Sequence, residues 1–143
     1  MDLKKILNTS FFYAILAMVA GVFYREFTKF NDFTGKTTLA VMHVHLFVLG
    51  VVLLLIMLLL EKQFNLTNNK KFNQFYIVYN IGLMSTVTMF LIRGITQVRN
   101  IEITKVMSSA ISGIAGISHI TLGTGIIMFF LILKKSVNNQ SFQ

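Results

Sequence analysis

The sequence predicts an all-α integral membrane protein, a four-helix bundle of up-down-up-down topology formed by one domain over residues 1–143. Three observations carry this. Hydrophobic residues make up 55% of the chain and charged ones 13%, about half the charged share of a soluble globular protein. The charges fall in short clusters with long apolar stretches between them. Four such stretches are each close to the roughly 20 residues that a helix needs to cross hydrocarbon. An open sheet is excluded there, because lipid cannot satisfy the polar groups of its edges.

The first run covers about residues 10–27 and ends on Tyr24-Arg25-Glu26. Lys4 and Lys5 precede it, as in a signal peptide, but no clean cleavage site follows and it reads as a retained span. The second, about 38–60, is the most hydrophobic and contains Val51-Val52-Leu53-Leu54-Leu55-Ile56. The third, about 75–95, carries Asn80, Ser85, Thr86 and Thr88, and the fourth covers about 108–133. Short connections favour sequential antiparallel packing, with spans one and three on one diagonal and two and four on the other.

Direction follows from the basic residues. Lys4, Lys5, Lys62, Lys70, Lys71, Lys134 and Lys135 lie on the side of the termini and the second loop. Lys29, Lys36, Arg99 and Lys105 lie on the other, with Arg25 and Arg93 at helix ends. The bias places the N- and C-termini on the cytoplasmic side of a bacterial plasma membrane. The formal charge of +8 therefore reads as a topology signal and an attraction to anionic lipid. No basic stripe interleaved with exposed aromatics points to nucleic acid. With no cysteine in the sequence, disulfides, thiolate metal sites, iron–sulfur clusters and covalent haem attachment are excluded. No proline is present either, which excludes proline kinks.

All three histidines fall inside spans: His43 and His45 on the second, His119 on the fourth. An ionisable side chain at that depth is costly unless partnered, so it marks function more often than chance. The plainer role is a hydrogen bond that glues helices together. Depth favours the functional role: at about 1.5 Å per residue, His45 lies roughly 10 Å and His119 roughly 16 Å below the outer surface. Ser112, Gly116, His119 and Gly123 follow helical spacing and form a small-residue face. Such a face serves close helix contact or makes room for a planar ligand. His43 shares a face with Ala40 and Gly50, whereas His45 points about 160° away from it, since two residues turn a helix by about 200°. Geometry gives His43 the roomier face and His45 the better depth, and the choice stays open. Arg25 and Arg93 sit about one turn inside the outer ends of spans one and three. Snorkelling explains either alone. Together with histidines below them they match haem b, which takes axial imidazoles near the bundle axis and cations for its propionates near water.

The segment His43-Val44-His45-Leu46-Phe47-Val48-Leu49-Gly50 resembles the H-x-H-L-x-x-L-G element of small membrane proteins similar to subunit I of haem–copper oxidases. The layout also resembles a group of uncharacterised four-span proteins from Firmicutes. The resemblance implies one haem-ligand role, for His43 or His45; His119 lies outside the matched segment. An oxidase subunit I has about twelve helices and further histidines for a second haem and copper. With three histidines this chain cannot assemble an oxygen-reducing centre, and oxidase activity is rejected.

The leading expectation is a small cytochrome b-like protein that binds one haem, with His43, His45 and His119 as candidate metal ligands and Arg25, Arg93, Gly116 and Gly123 around them. It would transfer electrons, exchange them with a quinone or other redox partner, sense a gas or hand haem on. A second is transport or copper handling, as imidazole and the thioethers of Met18, Met42, Met84 and Met89 suit Cu(I), although methionine also fills gaps in apolar cores. A third is a non-catalytic subunit or assembly factor in a homo-oligomer or larger membrane complex. No phosphate loop, nucleophile triad or paired carboxylates occur at usable spacing, so no soluble catalytic role is expected.

Overall fold

A computed structural model describes residues 3–140. Four helices account for most of them: α1, Leu3–Phe30; α2, Leu39–Phe64; α3, Phe72–Val98; and α4, Lys105–Gln140. Among the described residues there is no strand, as expected where each segment must satisfy its own backbone in lipid. All four helices are long and apolar enough to cross a membrane. They overrun the apolar runs because helix continues into the headgroup layer. The 36 residues of α4 reach about 54 Å, well past a hydrocarbon core of about 30 Å.

The first three helices stop where an aspartate or asparagine takes up the left-handed conformation: Asp32 (φ 48°), Asn65 (φ 50°) and Asn100 (φ 47°). These side chains tolerate that region better than most, and here they do the work usually given to glycine. After α1, Phe33 N–H reaches Thr28 O at 3.0 Å and Asp32 N–H reaches Lys29 O at 3.2 Å. After α3, Ile101 and Asn100 repeat the pattern onto Thr96 O and Gln97 O. Both are paired closures of the Schellman type; Asn65, with one bond to Glu61 O at 2.9 Å, makes the simpler form.

Packing follows chain order. α1 lies on α2 and α3 on α4, both extensively, with a smaller contact between α2 and α3, while α4 meets α2 chiefly through its Leu53–Phe64 portion. The α3–α4 contact is tightest at two glycines. A Cβ on Gly82 would lie 2.5 Å from Leu122 N, and one on Gly125 would lie 2.8 Å from Tyr79 Cα. Backbones come this close only where small residues face each other.

The core is richest towards the end that holds the termini, where Tyr13, Phe72, Phe75, Tyr79 and Leu54 are fully buried. A polar chain crosses it. Tyr13 Oη donates to Asn80 Oδ1, Asn80 Nδ2 to Tyr76 O, and Tyr76 Oη to Thr9 Oγ1, each at 2.7 Å. It ties α1 to α3 across their diagonal, and the buried polar groups satisfy one another.

One feature of α2 was not foreseen. Leu46–Val52 is wound as π-helix, which widens the turn and leaves carbonyls badly placed for their own helix. Neighbours supply donors: Tyr79 Oη donates to Leu49 O at 2.7 Å, and Ser10 Oγ to Val51 O at 3.4 Å. Gly50, inside the wide segment, lets Tyr13 approach so closely that a Cβ there would lie 2.6 Å from Tyr13 Cγ.

A candidate imidazole site between the second and fourth spans

The start of α2 is pinned to α3 by three hydrogen bonds. Thr38 N–H donates to Gln97 Oε1 at 2.9 Å, Thr38 Oγ1 to Phe90 O at 2.8 Å, and Thr37 Oγ1 to Gly94 O at 3.3 Å. The second pair holds the backbone of Phe90. Gly94 adds a close approach, since a Cβ there would meet Leu39 Cγ at 2.5 Å. This end of α2 is thus registered on α3, and that register sets where its histidines point.

His45 turns towards α3. Its ring packs edge-on against Phe90, with centroids 4.8 Å apart and planes inclined at 72°. His119 comes from α4 to the same ring, with centroids 5.5 Å apart and planes at 67°. The two distances place the imidazoles within about 10 Å of each other. Phe90 gives no sign of this role in the sequence, being one aromatic in an apolar run.

Both rings are oriented in the same way. Nδ1 of His45 lies 2.9 Å from Val41 O and Nδ1 of His119 lies 2.8 Å from Ala115 O, each carbonyl one turn back on the same helix. A carbonyl can only accept, so both Nδ1 atoms act as donors. In its neutral form such a ring keeps its lone pair on Nε2, the tautomer suited to ligation through that atom. A backbone carbonyl on the distal nitrogen is the usual support of a ligating histidine.

His43 faces the other way. A Cβ on Gly21 of α1 would lie 3.9 Å from His43 Cβ and Cγ, and Gly50, on the same face, packs on Tyr13 of that helix. Nδ1 of His43 is buried without a hydrogen-bond partner, as is Oγ1 of Thr86. The structure therefore sets His45 and His119 against one ring, Phe90, and leaves His43 in the α1–α2 contact. Among the described residues, no three histidine, cysteine or acidic side chains gather where they could hold a metal ion.

The small-residue face of α4 is open. Nothing lies within 4 Å of a Cβ built on Gly116 or Gly123, so these glycines serve no helix contact; Leu122 and Gly125 make the contact with α3 instead, and both are buried. Arg93 reaches from α3 to this face and donates through Nη2 to Ser112 Oγ, whose hydroxyl in turn donates to Ser108 O at 2.9 Å. Arg25 does not join it. Its side chain is 80% exposed and faces the neighbouring Glu26 carboxylate at 3.7 Å.

One family model matches residues 3–136, a family described as protein of unknown function (DUF2871). The chain belongs to the DUF2871 family. The match runs from the start of α1 into the last turns of α4 in this DUF2871 chain. No curated protein and no solved structure matches it.

Proposed function

We propose that this DUF2871 chain is a small cytochrome b-like protein of the bacterial plasma membrane that holds one haem b through His45 and His119. The observation that carries the reading is the convergence of the two imidazoles on Phe90, each with Nδ1 committed to a carbonyl of its own helix. Nε2 of each ring is then the atom offered to iron. The open faces at Gly116 and Gly123 leave room for a planar macrocycle, and Arg93, beside Ser112 on that face, is the cation within reach of a propionate. Arg25 has no part in it.

Bound haem would supply a one-electron couple within the bilayer, open to exchange with a quinone or a protein partner, or to ligand sensing. The chain's own contribution is to orient the two imidazoles against the apolar ring of Phe90. Copper handling finds less support. Met42 and Met89 are buried and Met18 is exposed, the distribution expected of gap-fillers and lipid-facing residues.

The test is spectroscopic. Protein purified in mild detergent from haem-supplied cells should show a Soret band and, on reduction, sharp α and β bands, with about one haem per chain. His45→Ala and His119→Ala should each abolish the bis-histidine spectrum, and His43→Ala should leave it in place. A colourless, monodisperse protein would overturn the proposal. Haem that survives loss of both His45 and His119 would also sink it.

A further inference from the structure

At the opposite end of the bundle, the loop over residues 65–71 and the last turns of α4 enclose a cleft of about 930 Å³. Lys70 and Lys71 come to it from the loop and Lys135 from α4. Its floor is apolar, formed by Phe64, Met128 and Ile132, and no aspartate or glutamate lines it.

The loop is built to hold this shape. Glu61, 8% exposed, accepts Thr67 N–H at Oε2 (2.8 Å) and the Thr67 hydroxyl at Oε1 (2.6 Å). The nearest acidic side chain in sequence is thus consumed inside the loop. Asn69 Oδ1 accepts Lys71 N–H at 3.0 Å, and left-handed Asn65 starts the turn. None of the three lysines has a carboxylate within ion-pair distance among the described residues. Three cations lining one cleft with no acidic side chain among them favour an anion there.

The position adds a second requirement. Leu131 lines the cleft and is 63% exposed, and Ile127 and Phe130 nearby are exposed as well. The cleft therefore opens from a cationic mouth onto an apolar helix face. A phosphate on the lysines with an acyl chain along Ile127 and Leu131 satisfies both halves, whereas a free anion satisfies the first alone.

We propose that this cleft is a binding site for the phosphate headgroup of an anionic phospholipid, of the phosphatidylglycerol class. Basic pockets beside transmembrane helices recognise such headgroups through charge. The site is separate from the imidazole pair and does not rest on the haem reading.

Native mass spectrometry of the detergent-purified full chain, titrated with phosphatidylglycerol or phosphatidylcholine, tests it. Phosphatidylglycerol should be retained at least tenfold more tightly than phosphatidylcholine. Lys70→Gln/Lys71→Gln/Lys135→Gln should erase that preference, and Lys135→Gln alone, which disturbs the loop least, should weaken it by roughly fivefold. Lys29→Gln/Lys36→Gln/Lys105→Gln removes equal charge from the far end and should change nothing. Equal retention of the two lipids would overturn the proposal, as would equal losses in both triple variants. Displacement by millimolar inorganic phosphate would overturn the lipid assignment in favour of a free-anion site.

Discussion

His43 and His45 stand two residues apart and serve different neighbours, and the division follows from helical geometry. Once Thr38 and Gly94 register α2 on α3, one face of α2 is committed to α1 and the opposite face to Phe90. Depth and spacing could show that the two histidines diverge, but which of them meets His119 depends on side chains of α3 that carry no signal in sequence. The glycines teach the same lesson. Gly116 and Gly123 looked like a seam or a groove on spacing alone, yet the seam is at Gly82 and Gly125, where opposing backbone decides. This yields a paired prediction. Gly82→Ala forces a Cβ against immovable Leu122 backbone and should cost about 2 kcal/mol or more. Gly116→Ala meets open space and should be neutral or gain up to about 1 kcal/mol from helix propensity. Unfolding of both variants in mixed micelles measures the difference; equal stabilities would contradict the close α3–α4 approach.

At the scale of elements, the four spans were readable because lipid imposes a single rule on every residue of a span, and that rule is written in hydropathy. The helices exceed the apolar runs because hydropathy marks hydrocarbon and not the headgroup layer where helix continues. The π-wound segment Leu46–Val52 was unreadable for a related reason. Its displaced carbonyls are satisfied by Tyr79 and Ser10, on α3 and α1, so the signal lies outside α2 altogether. Tyr79→Phe removes the donor to Leu49 O and keeps the ring. It should cost about 1 kcal/mol, the usual scale for a hydrogen bond between membrane helices, and should loosen α2 around Gly50. Amide exchange of residues 49–54 in micelles would register the loosening; unchanged protection there would mean that the wide turn does not depend on Tyr79.

For the whole molecule, the two candidate sites lie at opposite ends of the bundle, and orientation decides which compartment each one meets. The imidazole pair sits towards the 31–38 and 99–104 loops, while the lysine cleft sits with the 65–71 loop and the last turns of α4. The larger share of lysines at the second end predicts a cytoplasmic location for that end, where anionic headgroups would add about 1 kcal/mol of attraction per lysine near the surface. The sequence has no cysteine, so single introduced thiols report without background. Thr34→Cys and Asn68→Cys fall on exposed residues of the first and second loops. In intact cells a membrane-impermeant maleimide should label Thr34→Cys at once and Asn68→Cys only after the membrane is opened. The reverse pattern would place the lysine cleft outside, away from the leaflet surface potential that favours it, and the histidines near the cytoplasm. Labelling of both thiols in intact cells would contradict a four-span topology, because the single crossing by α2 must put the two loops on opposite sides of the membrane.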